Sequence, residues 1–484
     1  MNEIRLYNTK TRQKDLLRPG PDGRVGFYLC GPTVYDRAHI GNARSAVVFD
    51  VLFRLLRHIH GRDAVTFVRN FTDVDDKIIA RAEETGQDID ELTATTAQWY
   101  LEDMGAAPQV PGGLGCLAPD VMPRATEYVT DPGKPVDMMR MIETLIAKGH
   151  AYEAEGHVLF SVPSWEPYGR FSGRSTDELI AGARVEVAPY KRDPMDFVLW
   201  KPSAPDQPGW ESPWGRGRPG WHIECSAMSE ALLGKHFQIH GGGIDLVFPH
   251  HENERAQSCC ANDIEDMADI WVHNGFLMVE GEKMSKSLGN FFTARDLIAQ
   301  GIPGEVIRLA LLATHYRQPL DWTAERTAEA RGMLEGWERQ IRPFREADLL
   351  DPALDPDAGV IEALANDLNT PRAIAELHRL AGEAKGATPA NPGAVQRLAA
   401  TLGWLGFGLA EIRGGAAPDE AAAALVQALC EALDAARAEK NYARADAIRD
   451  RLSAAGLSVK TGKAGTEAEF TPAFDAAKLQ EADG

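Results

Sequence analysis

Near its N-terminus the chain spells out a strand, a helix and a second strand in quick succession, and few folds accept that order. Residues 24–31 place Val25, Phe27 and Leu29 at alternate positions and end beside Cys30, which predicts a strand. Over 41–60 the apolar residues Val48, Leu52, Leu55, Leu56 and Ile59 recur at helical spacing, and Gly61 supplies a stop. A second strand is expected over 64–69 and another helix over 74–82. This order predicts a parallel βαβ unit, and such units bind ligands outside the carboxyl ends of their strands. Cys30 and the residues after it would stand at that edge.

The segment from Met104 to Gly220 is less regular and rich in Pro, Gly and Trp, above all over 201–220. It reads as an insertion with a small fold of its own. Its clearest elements are a helix through Met141, Ile142, Leu145 and Ile146, ended near Gly149, and a strand over 157–162. A strand pattern resumes at 237–240, runs into Gly241, Gly242 and Gly243, and opens a second α/β half. After Pro319 the chain is Ala-rich, acidic and helical as far as Leu409. Gly414, Gly415 and Pro418 then set off a last helical segment.

Composition enters through what it excludes. With 44% hydrophobic and 25% charged residues in 484, the chain suits a folded protein of several domains rather than a disordered or fibrous one. No run approaches the roughly 18 apolar residues of a membrane helix, so no membrane partner is expected. The first 15 residues lack an apolar core, which predicts a cytoplasmic protein without a secretory signal. Six cysteines without framework spacing point to reduced thiols, each of them a packing residue, a ligand or a nucleophile. A formal charge of −20 gives no overall attraction to a polyanion, so nucleic acid would need local basic patches.

Three constellations carry chemistry. Cys30, Cys225, His250 and Glu254 are soft or borderline metal ligands near predicted strand ends or helix starts. His250 and Glu254, four apart, share one face of any helix that runs from there. Zinc takes thiolate, imidazole and an occasional carboxylate, but spacing alone leaves open ordinary buried cysteines and a capping histidine. Cys259 and Cys260, being adjacent, read as packing residues. The second constellation, His39-Ile40-Gly41-Asn42, stands where a helix would begin. Free N–H groups and the positive dipole end make such a start an anion site, with an ordinary turn and cap as the plain alternative. The third, Lys283-Met284-Ser285-Lys286-Ser287, offers two cations beside hydroxyls, followed by a helix capped by Thr293 with Asp296 three residues on. A solvated surface loop is the bland reading of that run.

Taken together, His39-Ile40-Gly41-Asn42 and Lys283-Met284-Ser285-Lys286-Ser287 resemble the two signatures of class I aminoacyl-tRNA synthetases, in the right order and with a long insertion between. The runs at 28–44, 70–77, 220–228, 239–254 and 274–290 resemble the cysteinyl-tRNA synthetase family within that class. The resemblance extends through Asn366-Asp367-Leu368-Asn369-Thr370-Pro371 and the helical tail 435–452, so it covers essentially the whole chain. One departure stands out: the first signature ends in Asn42 where the wider class has a second histidine, and Asn still donates to phosphate.

The resemblance implies an α/β fold. A class I Rossmann-type parallel-sheet core in two halves, 1–105 and 221–290, would flank an α+β insertion at 106–220. A stem-contact region at 291–342, an all-α helical bundle at 343–412 and a small C-terminal anticodon-binding domain at 413–484 would follow. It implies one Zn2+ on Cys30, Cys225, His250 and Glu254, selecting the thiolate of L-cysteine over the hydroxyl of serine, and Mg2+ accompanying ATP. By the same resemblance His39 and Asn42 contact the triphosphate, and Lys283 and Lys286 meet the developing pyrophosphate. Gly41, Gly241, Gly242, Gly243 and Asp245 line the nucleotide, and Gly31, Thr72, Trp221 and His222 or His240 surround the cysteine. The implied activity forms cysteinyl-adenylate and transfers it to tRNA(Cys) on a monomer.

Residues 432–463 hold seven basic residues against four acidic ones, a local excess where tRNA contact is expected; a mixed-charge solvated helix face is the alternative. Two rival functions differ in kind. A ligase that uses the same adenylate on an amino sugar would lack the roughly 140 residues after Arg342. A non-enzymatic zinc and nucleotide module would not need all three constellations in one chain.

Overall fold

The expected unit forms at Val25–Leu29 (β1), Ile40–His60 (α1) and Val65–Arg69 (β2). In this computed structural model the described residues are 3–105, 113–173, 188–284, 290–351, 353–409, 412, 420–462, 465–470 and 478–479. The His39 side chain caps α1, and Gly61, at φ 90°, ends it where a residue with a Cβ would be strained. Arg57, His58 and His60 in the last turn complement the negative end of its dipole. β1 and β2 run parallel with Phe27 opposite Phe67, and their rings stack at 4.4 Å.

Two later strands, Phe237–Gly243 (β3) and Ala268–Asn274 (β4), complete a four-stranded parallel sheet in the order β4-β3-β1-β2. From β1 the chain crosses to β2 on one side and later returns to β3 on the other. A crevice therefore opens between the carboxyl ends of β1 and β3, the switch point where open α/β sheets bind ligands. Cys30 follows β1 directly, and Gly241 to Gly243 end β3. Two helices face this edge: Trp221–Leu233 (α2) and Glu252–Asn262 (α3).

The two faces of the sheet belong to different cores. Phe27 and Leu29 pack with Val47, Val51, Leu52 and Leu55 of α1, in a core that continues into the later helices through Leu398 and Phe407. Tyr28 and Val68, pointing the other way, pack with Phe160, Trp200 and Met141 of the insertion. Each such side chain, fully buried, is worth roughly 1.5–3 kcal/mol, so both faces must stay covered.

The insertion has a sheet of its own, and its apolar side chains also complete the second face of the parallel sheet. It holds the helix Met138–Ala147 and a four-stranded antiparallel sheet of Ala151–Ala154, His157–Phe160, Phe197–Pro202 and Gly217–Pro219. Of these strands the sequence pattern announced one.

The helices Ala324–Glu346, Ala358–Ala365, Thr370–Ala384 and Gly393–Trp404 follow. They are joined to α1 by a buried ion pair. Asp50 of α1 holds Arg308 and, at 2.8 Å, Arg54, while Arg308 also donates to the Leu405 carbonyl at 2.9 Å. Burial pushes the Asp50 carboxyl up, but the two guanidiniums outweigh it and hold the pKa below its usual value.

The expected C-terminal helices are present at Glu420–Ala438 and Tyr442–Ala454, joined by an antiparallel hairpin of Leu457–Gly462 and Gly465–Phe470 that the sequence reading lacked. Val426, Leu433, Leu452 and Leu457 give this part a small core of its own. The Gly414, Gly415 and Pro418 cluster lies outside the described residues. Among the described residues no helix is long and apolar enough to cross a membrane.

Candidate active site

Four segments converge at the crevice. Cys30 follows β1, Cys225 lies in the first half of α2, His250 sits one turn before α3, and Glu254 lies in the first turn of α3. The Cys30 thiol is 3.7 Å from Cys225 Sγ, 3.6 Å from His250 Nε2 and 3.4 Å from Glu254 Oε1. His250 Nε2 and Glu254 Oε1 meet at 2.9 Å, four residues apart on one helical face as their spacing requires. One ligand atom from each residue lies within 4.8 Å of the others, and all but Cys30 are fully buried.

The electrostatics of this cluster favour a cation. Burial pushes the Cys225 thiol up, but the hydrogen bond from Cys30 and the neighbouring His250 outweigh it and bring its pKa to about 6. Cys30 is half-buried, but desolvation by its surroundings and donation to that thiolate hold its thiol well above its usual value. Burial also lifts Glu254, yet His240 and His250 keep it ionised far below the usual carboxylate range. His250, where burial works against charge, is raised to about 10 by Glu254 and Cys225. A thiolate and a carboxylate thus meet the His250 imidazolium in a low-dielectric pocket, and a divalent cation is compatible with that arrangement. Two sulfurs, an imidazole and a carboxylate match the donors zinc prefers, so the residues present fit that group.

A layer of further imidazoles supports the four. His222 Nδ1 lies 2.9 Å from His250 Nδ1, and burial drops the His222 pKa to about 3. His240 lies in β3, fully buried, 3.2 Å from Glu254 Oε2 and stacked on Tyr28 at 5.3 Å and 1°. This puts His240 underneath the cluster, where it orients the carboxylate; Cys30, His240, His251 and Glu254 form a second, overlapping donor set. His251 contacts His273 at 2.7 Å, and His273 contacts Thr9 at 2.7 Å. Sequence reading missed His251 and His273; the doubled histidine before the helix was the available signal.

Around the cluster, Trp221 is 38% exposed and stacks on the His250 ring at 4.2 Å. Thr72 is buried; its hydroxyl donates to Glu224 at 2.8 Å and accepts from Asn70 Nδ2 at 3.5 Å, which leaves one lone pair to accept from a ligand such as an ammonium. Gly31 donates its N–H to Asn70 Oδ1 at 2.8 Å, and a Cβ there would collide with the Asn70 carbonyl oxygen.

At the other end of the crevice stands the start of α1. His39 Nδ1 accepts from the Gly41 N–H at 3.0 Å and the Asn42 N–H at 3.3 Å. That capping role fixes the tautomer: Nε2 carries the proton and is the nitrogen able to donate. Burial lowers the His39 pKa, while Asp245, exposed in the turn after β3, works the other way. Gly41 is needed by its own neighbour, since a Cβ would stand 2.8 Å from the His39 ring. Gly241 and Gly242 likewise make room for Phe49 and His251, and Gly243 for Asp245, so their lack of a side chain first serves internal packing.

The second signature meets the first. Ile40 donates to the Phe292 carbonyl at 2.9 Å, His39 and Thr293 form a bridge, and the Phe291 ring meets His39 edge-on at 5.4 Å. Thr293 caps the next helix, Ala294–Ala299, with Asp296 completing the expected capping box. Lys283 is exposed at the end of a short strand, Glu282–Lys283; Ser285, Lys286 and Ser287 lie outside the described residues. Beneath the junction, fully buried Asp103 holds Arg37 at 3.1 Å and Arg295 at 2.9 Å, one from each signature's flank. Nothing in the local sequence pattern singled out Asp103.

A family model described as "tRNA synthetases class I (C) catalytic domain" matches residues 16–332, and one described as "DALR domain" matches 359–410. The chain is 56% identical over 481 residues to a cysteine–tRNA ligase of Ruegeria sp. (strain TM1040), covering 99% of each chain. It is 55% identical over 476 residues to that of Rhodospirillum rubrum, covering 96% of this chain and 98% of the other. In fold it is similar to the Mycobacterium tuberculosis methionyl-tRNA synthetase in complex with methionyl-adenylate, at a TM-score of 0.53 and 14% identity, over 79% of this chain and 89% of that one. With the catalytic model spanning most of the chain and identity this high along nearly all of it, the chain belongs to the cysteine–tRNA ligase family of class I aminoacyl-tRNA synthetases.

Proposed function

We propose that the chain joins L-cysteine to ATP, forming cysteinyl-adenylate and pyrophosphate, and passes the cysteinyl group to the 3′ end of tRNA(Cys). The observation that carries this reading is the buried meeting of Cys30, Cys225, His250 and Glu254 at the crevice where the two signatures also join. Those four residues would hold Zn2+, which when bound prefers a thiolate to a hydroxyl and so separates cysteine from serine, a near-isostere that a hydrophobic pocket distinguishes poorly.

The rest falls to the chain's own residues. Gly31, Thr72, Trp221 and His240 shape the amino-acid pocket, with Thr72 accepting from the ammonium and Trp221 covering the opening. A carboxylate oxygen of cysteine attacks the α-phosphorus, and the bond to the pyrophosphate oxygen breaks. His39 donates from Nε2 to a phosphate oxygen, and the side-chain amide of Asn42 and the positive dipole end of α1 favour the same charge. Lys283 and Lys286 neutralise the departing pyrophosphate, whose Mg2+ arrives with ATP. Gly41, Gly241, Gly242, Gly243 and Asp245 line the nucleotide. A ribose hydroxyl of the tRNA then attacks the acyl carbon and AMP leaves. The chain acts as a monomer in the cytoplasm, with residues 413–484 reading the anticodon.

Charging of unfractionated tRNA with each amino acid in turn tests the whole reading. Incorporation of cysteine alone, with pyrophosphate exchange driven by cysteine and not by serine, is the expected result. Equal exchange with serine at matched concentration would remove the selecting role of the cluster.

A further inference from the structure

We propose that Cys30 and Cys225 are a site of reversible oxidation: a hydroperoxide joins them as a disulfide and so takes two donors from the cluster at once. This rests on the reading above that the four residues hold Zn2+. The two sulfurs are in contact at 3.7 Å, so rotation of the side chains can bring them to bonding distance. Cys30 follows β1 and Cys225 lies in α2, so the bond would staple the parallel sheet to the helix that faces its edge.

All six cysteines are free thiols, and burial sorts them. Cys116, Cys225, Cys259, Cys260 and Cys430 are buried, whereas Cys30 is half-buried at the crevice, where a molecule as small as hydrogen peroxide meets it first. The other thiols lack a facing partner. Cys259 and Cys260 are neighbours on one helix and so point apart, and Cys116 and Cys430 belong to two different cores. An accessible thiol beside a buried resolving thiol is the arrangement that keeps oxidation reversible, because the sulfenic acid is captured before it is oxidised further.

The chemistry closes on two steps. The Cys30 sulfur attacks hydrogen peroxide, the O–O bond breaks, and a sulfenic acid and one water form. The Cys225 sulfur then attacks the sulfenic sulfur, the S–S bond forms, and the remaining oxygen leaves as a second water. Both sulfurs are oxidised, the peroxide is reduced, and the two thiol hydrogens depart in the waters. A disulfide offers no thiolate to a cation, so the metal is released. Glu254 keeps its ion pair with His250 at 2.9 Å, so this buried carboxylate stays partnered in the oxidised chain. Charging therefore stops when peroxide rises and resumes when a dithiol and zinc are supplied.

The test exposes the zinc-loaded full chain to a few equivalents of hydrogen peroxide and quenches it with a thiol-alkylating reagent. Released zinc is read with a colorimetric chelator, and the linked peptides by mass spectrometry without reduction. A Cys30–Cys225 link, loss of two of the six thiols and release of zinc in step are the expected result. Exchange should fall by more than about tenfold, and dithiothreitol with added Zn2+ should restore both metal and rate. In Cys225→Ser the Cys30 sulfenic acid has no resolving partner, so dimedone should trap it there. A link between other cysteines, zinc release without the Cys30–Cys225 link, or sulfinic acid at Cys30 in place of the link would overturn the proposal. So would zinc and all six thiols surviving peroxide that oxidises the metal-free chain under the same conditions. If the purified chain neither binds zinc nor shows cysteine-dependent exchange, the proposed function fails, and the peptide map of that chain still decides whether the two sulfurs pair.

Discussion

The two ends of the crevice are built by different means. At the end proposed to hold a metal, the donor atoms come from residues in or beside a strand or helix, all but Cys30 fully buried, with a layer of imidazoles around them. At the end proposed to meet the nucleotide, the groups lie on a helix start and a hairpin, His39 and Asn42 half-buried and Lys283 exposed, tied by backbone links such as Ile40 to Phe292. On the proposed function, the contrast follows from the tasks. Discriminating sulfur from oxygen needs fixed donors in low dielectric, whereas meeting a triphosphate needs cations that reach solvent from a fixed base.

Four experiments can break or sharpen this contrast, ranked by the largest change each should produce. Cys225→Ser should do most harm, because it removes a donor from a preformed set. Bound metal should fall from one per chain to a small fraction, and exchange should drop by more than the roughly 100-fold that losing an outer partner costs. Elemental analysis beside the exchange assay checks it, and full metal content in the variant would mean the ligand assignment is wrong.

His39 serves as cap and as donor, so two substitutions separate its roles. Asn at this position can still cap, whereas Ala cannot. Both His39→Asn and His39→Ala should slow exchange by roughly 100-fold through loss of the Nε2 donor. Only His39→Ala should also cost about 1 kcal/mol in a denaturant melt. Equal melts with unequal rates would reverse the division. One layer out at the metal end, His222→Ala should weaken metal binding by roughly 10–100-fold while leaving exchange nearly normal at saturating zinc. A rate deficit that zinc does not repair would make His222 part of the amino-acid pocket.

How much of this was legible in the sequence depends on distance along the chain. β1, α1 and β2 were readable because period-two and helical spacing are local, and so were the His250–Glu254 pair and the Thr293 cap. The four ligands could be named from resemblance, but their meeting depends on a strand order that no local pattern encodes. The insertion strands at Phe197–Pro202 and Gly217–Pro219 escaped notice because Pro, Gly and Trp punctuation hid their alternation. Asp103 looked like one more acidic residue near a helix end. Its importance arises only when Arg37 and Arg295, far apart in sequence, fold against it.

Asp103 also supplies the smallest expected effect and the finest test of the contrast. A nucleotide end held from below should lose alignment when that base loosens, while the metal end should not notice. Asp103→Asn keeps the shape but removes the charge that two guanidiniums share, an interaction worth roughly 1.5–3 kcal/mol for a charged hydrogen bond. If part of that appears as misplacement of His39 relative to the Lys283 hairpin, kcat for exchange falls by about tenfold and the KM for cysteine stays put. A fall in kcat with a matching rise in the cysteine KM would show the two ends to be one mechanical unit. A melt shifted without any change in kcat would reduce Asp103 to scaffolding. The charge geometry favours the first outcome, because Arg37 sits two residues before His39 and Arg295 two residues after Thr293, the residue that bridges to it.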